Sequence, residues 1–288
     1  MAPGMHPNKR KLKMRVRRAL VKGPLRPLAA RTFHALIAAE LAVQRRLTGR
    51  RSDPFDLGEV TAIIKTFERP ERCQALIDSI RVLHPDLRIV VVDDSREPRQ
   101  FAAAETLVLP FDSGVSAGRN LALGAVATPY VLNLDDDLMF FRGTRLAAAM
   151  ALLRGLPQVD IMGGVMLDLP HYGWNHSLGG PLHPTSARAK LPAGTRIGPL
   201  TVADKVSNFF LARTAAVRSI GWDPLVRRLD HADFFTRAKG RLVSAYNPAL
   251  QVLHVKDPFA ADYRRFRFDI APDLAYLKDK FGEPSPLR

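Results

Sequence analysis

Residues 130–140 read "YVLNLDDDLMF". An apolar run ends in three adjacent carboxylates, Asp135, Asp136 and Asp137, and apolar residues resume at 138. Neighbouring like charges repel, so a folded chain keeps such a trio only with a counter-charge or free access to water. A hard divalent cation would remove the repulsion, and it would also offset the charge of a nucleotide diphosphate. A solvated acidic turn, or a helix N-terminus that favours Asp, explains the same residues without a ligand.

The flanking sequence puts this cluster at the end of a buried strand. "EVTAIIKTF" (59–67), "LRIVVVDDS" (87–95) and "YVLNLD" (130–135) have continuous apolar centres, as strands covered on both faces do. "RPERCQALIDSIRVL" (69–83) is expected to be a helix, with Pro70 in its first turn and apolar residues at 73, 76, 77, 80 and 83 on one stripe. "SAGRNLALGAVAT" (116–128) predicts another helix. The order β-α-β, then α-β, is that of an open α/β sheet with right-handed crossovers. Further strands are expected at 159–169, 206–214, 242–247 and 251–255, with a helix near 231–239 and a Gly/Pro-rich loop over 170–200.

In such sheets ligands bind beyond the carboxyl ends of the strands. Acids fall there twice, as Asp93 and Asp94 and as the trio at 135–137. Carboxylates at these ends can accept hydrogen bonds from a ribose or a base. No "GxGxxG" follows the first strand and no "GxxxxGK[ST]" occurs, which disfavours dinucleotide and P-loop sites. "FDSGVSAGRN" (111–120) instead precedes a helix, with Gly114 and Gly118 allowing tight backbone and Arg119 and Asn120 offering donors. An ordinary helix start with Ser116 as N-cap reads equally from those residues.

The net charge of +15 is unevenly placed. Residues 1–52 hold fourteen Lys/Arg against one acid, Glu40, and the other 236 residues are nearly neutral. Within this arm, "RTFHALIAAELAVQRRL" (31–47) has apolar residues at 33, 36, 37, 41 and 43, with Arg31, Arg45 and Arg46 flanking them. A basic amphipathic segment of this kind can lie on an anionic membrane, or dock on the body. Nucleic acid is the disfavoured partner, because the charge sits in a detachable arm without interleaved aromatic rings. The single cysteine, Cys73, excludes an internal disulfide and suits a reducing compartment. No signal peptide is legible, and "ALIAAELAV" (35–43) is about half the length that spans a bilayer. The expected location is cytoplasmic, with peripheral contact at the inner face of the cell membrane.

Taken in order, these pieces resemble a GT-A-type glycosyltransferase over residues 59–257. "TAIIKTFERPERCQALIDSI", "VVVDDS", "GVSAGRNLAL" and "LNLDDD" are similar to that superfamily's opening strand and helix, nucleoside strand, helix start and DxD element. "SNFFLARTAAVRSIGWDPLV", "HADFF" and "VLHVKD" are similar to the β-1,4-N-acetylgalactosaminyltransferase family of the ganglioside GM2/GD2 synthase type. The resemblance implies metal-dependent, inverting transfer from a UDP-sugar to a glycan or lipid-linked acceptor, with Mn2+ or Mg2+ as cofactor. It implies that Thr66, Glu68 and Arg69 line the nucleotide turn, with Asp94 (alternatively Asp93) at the uridine and Gly118, Arg119 and Asn120 in the loop over the nucleotide. Asp137 would be the direct metal ligand, Asp135 would address ribose or the metal through water, Asp136 the donor sugar, and His254 would be a second metal ligand.

Inverting transfer needs a carboxylate to take the acceptor's proton. Asp233, before "FF", is the expected base and Asp230 the alternative, although "HAD" stands where an "ED" pair is more widespread. Phe209, Phe210 and Leu211 are expected in the pocket or in the core, and Gly163 and Gly164 beside the donor sugar or in a tight turn. His171, Tyr172, Trp174 and His176 in "DLPHYGWNHSLGG" (168–180) could form an acceptor lid or anchor their loop. The division expected is an arm over 1–56, a catalytic domain over 57–257 and a helical tail over 258–288. The alternatives are a sugar-phosphate nucleotidyltransferase, a nucleic-acid-binding protein using the arm, and an inactive scaffold of the same fold.

Overall fold

The apolar centre of the first strand needs cover on both faces, and the chain supplies it. The computed structural model describes residues 23–48, 57–169, 172–175 and 181–282. The basic stretch 1–22, His171 and His176 lie outside the described residues. Strands β1 (Val60–Thr66), β2 (Arg88–Asp93), β3 (Glu105–Val108) and β4 (Tyr130–Asp135) pair in parallel in the order β3-β2-β1-β4. The sheet then turns mixed. β10 (Phe210–Arg213) runs antiparallel between β4 and β6 (Ile161–Asp168), and β11 (Ser244–His254) lies parallel to β6. Short strands β5 (Leu138–Met139), β7 (Gly173–Asn175), β8 (Arg196–Ile197) and β9 (Leu200–Val202) complete it.

Alternation along β1 sends Ala62 and Ile64 into one layer and Ile63 into the other. The first layer takes α2 (Pro70–Leu83) and α4 (Leu146–Gly155) through Cys73, Leu76, Ile80, Met150 and Leu153. The second takes α3 (Val115–Gly124), α5 (Thr214–Ile220) and α6 (Asp230–Ala238) through Leu123, Val217, Phe234 and Phe235. Each such fully buried side chain contributes about 1.5–3 kcal/mol relative to exposure. The N-terminal helix α1 (Arg26–Thr48) packs Phe33, Ile37 and Leu41 on a third cluster with Met139, Leu167 and Val255. Beyond β11 come α7 (Ala261–Arg267) and α8 (Ala271–Phe281).

Three expectations are corrected. The strands expected at 242–247 and 251–255 are one strand, β11, whose register against β6 shifts between Tyr246 and Gln251. Pro248 lacks an N–H for the ladder, and the Asn247 side chain accepts the Ala249 N–H there instead. The strand expected over 206–214 is only Phe210–Arg213, with α5 beginning at Thr214. Gly163 and Gly164 sit mid-strand in the core, where a Cβ would overlap Val206 and Phe209 respectively, so neither borders a sugar pocket. Phe209, Phe210 and Leu211 are core residues.

Candidate active site

The acids expected to cluster do gather at the carboxyl edge, but each faces a different partner. Parallel register sets His254 of β11 beside Asp168 of β6, and His254 Nδ1 lies 2.7 Å from Asp168 Oδ1. The imidazole's other nitrogen, Nε2, faces Asp137 Oδ1 at 3.5 Å. Lys256 donates to the second oxygen of Asp168 at 2.7 Å. Burial opposes charge on His254, yet its two carboxylate neighbours raise its pKa to about 9. Burial also works against ionisation of Asp168, but His254 and Lys256 hold its pKa down to about 2.

Arg69, at the start of α2, donates to Asp137 at 3.1 Å and pairs closely with Asp136. Burial pushes the Asp137 carboxyl up, but Arg69 and His254 hold it well below the usual carboxylate range. Asp136 turns inward. It accepts from Thr66 Oγ1 at 2.8 Å and is buried, and burial raises its pKa. Asp135 points the other way, to Arg119 at 2.6 Å, and its side chain is about a third exposed. The buried Arg119 also pairs closely with Asp230 at the start of α6, so one guanidinium links two carboxylates.

The facing pair Asp137 Oδ1 and His254 Nε2 suits a hard cation. Their separation is close to an edge of a metal's ligand shell, and a carboxylate behind the histidine is the usual orienting partner. Among the described residues no group of three or more His, Cys, Asp or Glu forms a cage. Two protein ligands, with phosphate and water completing the shell, are what Mg2+-type sites employ. Asp135 faces Arg119 and not this pair.

A family model for glycosyl transferase family 2 matches residues 61–221. The chain belongs to glycosyl transferase family 2. Beta-1,4 N-acetylgalactosaminyltransferase 1 of Rattus norvegicus is 36% identical over 229 residues, covering 73% of this chain and 43% of that protein. Beta-1,4 N-acetylgalactosaminyltransferase 2 of Mus musculus is 34% identical over 202 residues, covering 68% and 39%. The chain thus spans less than half the length of these relatives. The structure of S. aureus TarS 1-349 in complex with UDP-GlcNAc superimposes with a TM-score of 0.53 at 18% identity, covering 69% of this chain and 59% of that one. Its complex with UDP gives 0.52 at 16% identity, covering 80% and 67%. The α/β fold expected, of the GT-A type, is the fold of this family 2 chain.

The other expected site residues take the following places. Asp94 is fully buried. One oxygen pairs closely with Lys65 and the other accepts the Gly114 N–H at 2.8 Å. Gly118 leaves room for the Lys65 stem. Asp93 caps its own turn through the N–H groups of Ser95 and Arg99. Asn120 exchanges two hydrogen bonds with the Trp222 backbone, and so braces α3 against the loop before α6. Glu68 (φ 54°) is exposed and accepts the Arg96 N–H at 2.7 Å. Asp233 is fully buried, with its oxygens held by Arg237 (2.7 Å) and Lys280. Its Lys280 partner belongs to α8, so the expected base is engaged by two cations.

Sequence reasoning missed Asp168, Lys65 and the tail. Tyr263 of α7 stacks on Arg69 at 3.8 Å, and Phe266 lies 5.2 Å from Phe67 and 5.8 Å from Phe111. Asp273 of α8 accepts the N–H groups of Arg227, Arg228 and Leu229, which fixes the start of α6. The tail therefore packs on the site's rim. Tyr172 is a loop anchor that bonds Glu40 and Gln44 of α1, while Trp174 is exposed. Only Asp168 carried a local signal, an acid ending an apolar strand.

Proposed function

We propose that this chain is a metal-assisted, inverting glycosyltransferase that moves a sugar from a UDP-sugar to a glycan or lipid-linked acceptor. The observation that carries this reading is Asp137 Oδ1 facing His254 Nε2 at 3.5 Å, beside the Asp135–Arg119–Asp230 chain. The relatives' activity favours N-acetylgalactosamine as the sugar. The TarS complexes with UDP-GlcNAc and with UDP favour a UDP carrier.

When bound, Mn2+ or Mg2+ at Asp137 and His254 supplies positive charge to the donor's diphosphate. The acceptor hydroxyl oxygen forms a bond to the anomeric carbon as the bond from that carbon to the UDP oxygen breaks on the opposite face. The hydroxyl proton passes to Asp230, which Arg119 ties to Asp135, while Asp233 has Arg237 on one oxygen and Lys280 on the other. Arg119 holds Asp230 at the edge and orients Asp135 toward the ribose. Thr66 and Arg69 keep Asp136 and Asp137 in place.

The division we propose is an arm over 1–56, a catalytic unit over 57–257 and a tail over 258–288 that finishes the rim. The proposed location is the cytoplasmic face of a membrane, supported by the one-signed charge of residues 1–52. No described helix is long and apolar enough to cross a membrane.

A panel of UDP- and GDP-sugars with Mn2+ tests the reading. We expect hydrolysis or transfer of one UDP-sugar, abolished by EDTA and by Asp137→Ala. Turnover indifferent to both, or no turnover of any UDP-sugar, would overturn it.

A further inference from the structure

Helix α1 has two apolar faces, and the fold uses only one. Phe33, Ile37 and Leu41 point into the body, and on this side His34 and Arg26 bond Asp257 and the Phe259 carbonyl. At 3.6 residues per turn, Leu28, Leu36, Val43 and Leu47 fall on a separate arc of about 100°, and Leu25 stands in the turn just before the helix. All five are exposed, between 48% for Val43 and 66% for Leu28. Four large apolar side chains in one line on a single helix, with Leu25 just before it, exceed the scattered exposure that ordinary surfaces show. The sequence-based stripe at 33, 36, 37, 41 and 43 is thus two stripes, and its inward members are already engaged.

We infer that the outward stripe of α1 seats the protein on an anionic lipid bilayer. This deepens the membrane contact proposed above and rests on it. The surrounding charge selects that occupant. Exposed Arg31 and Arg46 border the stripe, and residues 1–52 carry fourteen cations against one acid. A second copy on this face would bring two such arms together and meet repulsion, whereas anionic headgroups attract each basic residue. The apolar side chains then enter the headgroup boundary, as in interfacial helices. The inner side of the same helix, through Arg26, His34, Ile37 and Leu41, walls a cavity of about 540 Å³ whose floor includes Asp136 and Asp137. Seating α1 therefore sets the catalytic edge one helix diameter from the lipid surface, where a lipid-linked acceptor would present its headgroup.

The test is flotation of the full chain with vesicles of phosphatidylcholine alone or with roughly 30% phosphatidylglycerol. Wild type should float only with the anionic vesicles. The combined variant Leu28→Ser, Leu36→Ser, Val43→Ser keeps every charge and should lose about tenfold or more in partitioning, with an unchanged melting curve. Flotation of the variant equal to wild type would give the whole effect to arm charge and overturn the inference. So would an absence of wild-type flotation, or a dimer in sedimentation that the same variant dissociates. Donor turnover is read separately in detergent-free solution, so failure of the catalytic reading leaves the partitioning result intact.

Discussion

His254 and Asp168 stand side by side as register partners in two parallel strands, with Nδ1 2.7 Å from Oδ1. The contact fixes the ring so that Nε2 faces Asp137. Asp168→Asn is therefore expected to weaken Mn2+ binding about 10–100-fold. Electron paramagnetic resonance of free Mn2+ in the presence of UDP measures this, and Asp168→Glu should recover part of the affinity. Affinity equal to wild type in Asp168→Asn would reduce Asp168 to a structural partner of Lys256.

The two acids of α6 should separate cleanly. Asp230→Asn is expected to lower turnover about 10²–10⁴-fold, the usual contribution of a general base, with UDP affinity retained. Asp233→Asn should keep turnover but lose about 1–3 kcal/mol of stability in urea. The figure falls below the roughly 3–5 kcal/mol of a fully buried pair because Arg237 and Lys280 each reach solvent. Reversed outcomes would return the base role to Asp233.

Gly164 packs against the Leu250 carbonyl and the Phe209 ring, with no space for a methyl group. Gly164→Ala should cost about 1–3 kcal/mol through overpacking. Denaturant midpoints provide the measurement, and a neutral result would mean that β6 and β11 can part at the bulge.

His183 predicts an acid-side loss of stability. It is buried and stacked on Phe281 at 4.3 Å, and neither ring nitrogen has a hydrogen-bond partner among the described residues. Burial, with Lys280 and Lys205, pushes its pKa below 6.5, and Asp233 opposes them. The unfolded chain thus binds this proton more readily than the native one. The contribution is fully present above pH 6.5 and declines as pH falls toward the folded pKa. Tm should fall between pH 7 and 5 in wild type (range chosen about the ordinary histidine value), and less steeply in His183→Phe. Parallel slopes would remove His183 as the cause.

The core strands and their acidic ends were legible because they are local signals. Apolar runs in β1, β2 and β4 mark strands buried on both faces, and the carboxylates that follow mark the ligand edge. The pairing of Asp137 with His254 was readable through the family resemblance alone. Which carboxylate meets which cation depended on contacts between residues far apart in the chain. Asp233 read as catalytic from its motif, and its pairing with Lys280, 47 residues on, was not legible there. Asp94 read as a nucleoside contact and is paired with Lys65, and Gly163 looked like a turn until Val206 filled the space above it. Helix α1 likewise read as one amphipathic face, and only its packing divided the apolar residues into those buried and those left outward. Periodicity reports how a segment folds locally. The partner of each side chain is set by burial and charge pairing across the assembled sheet, and no short stretch of sequence carries that information.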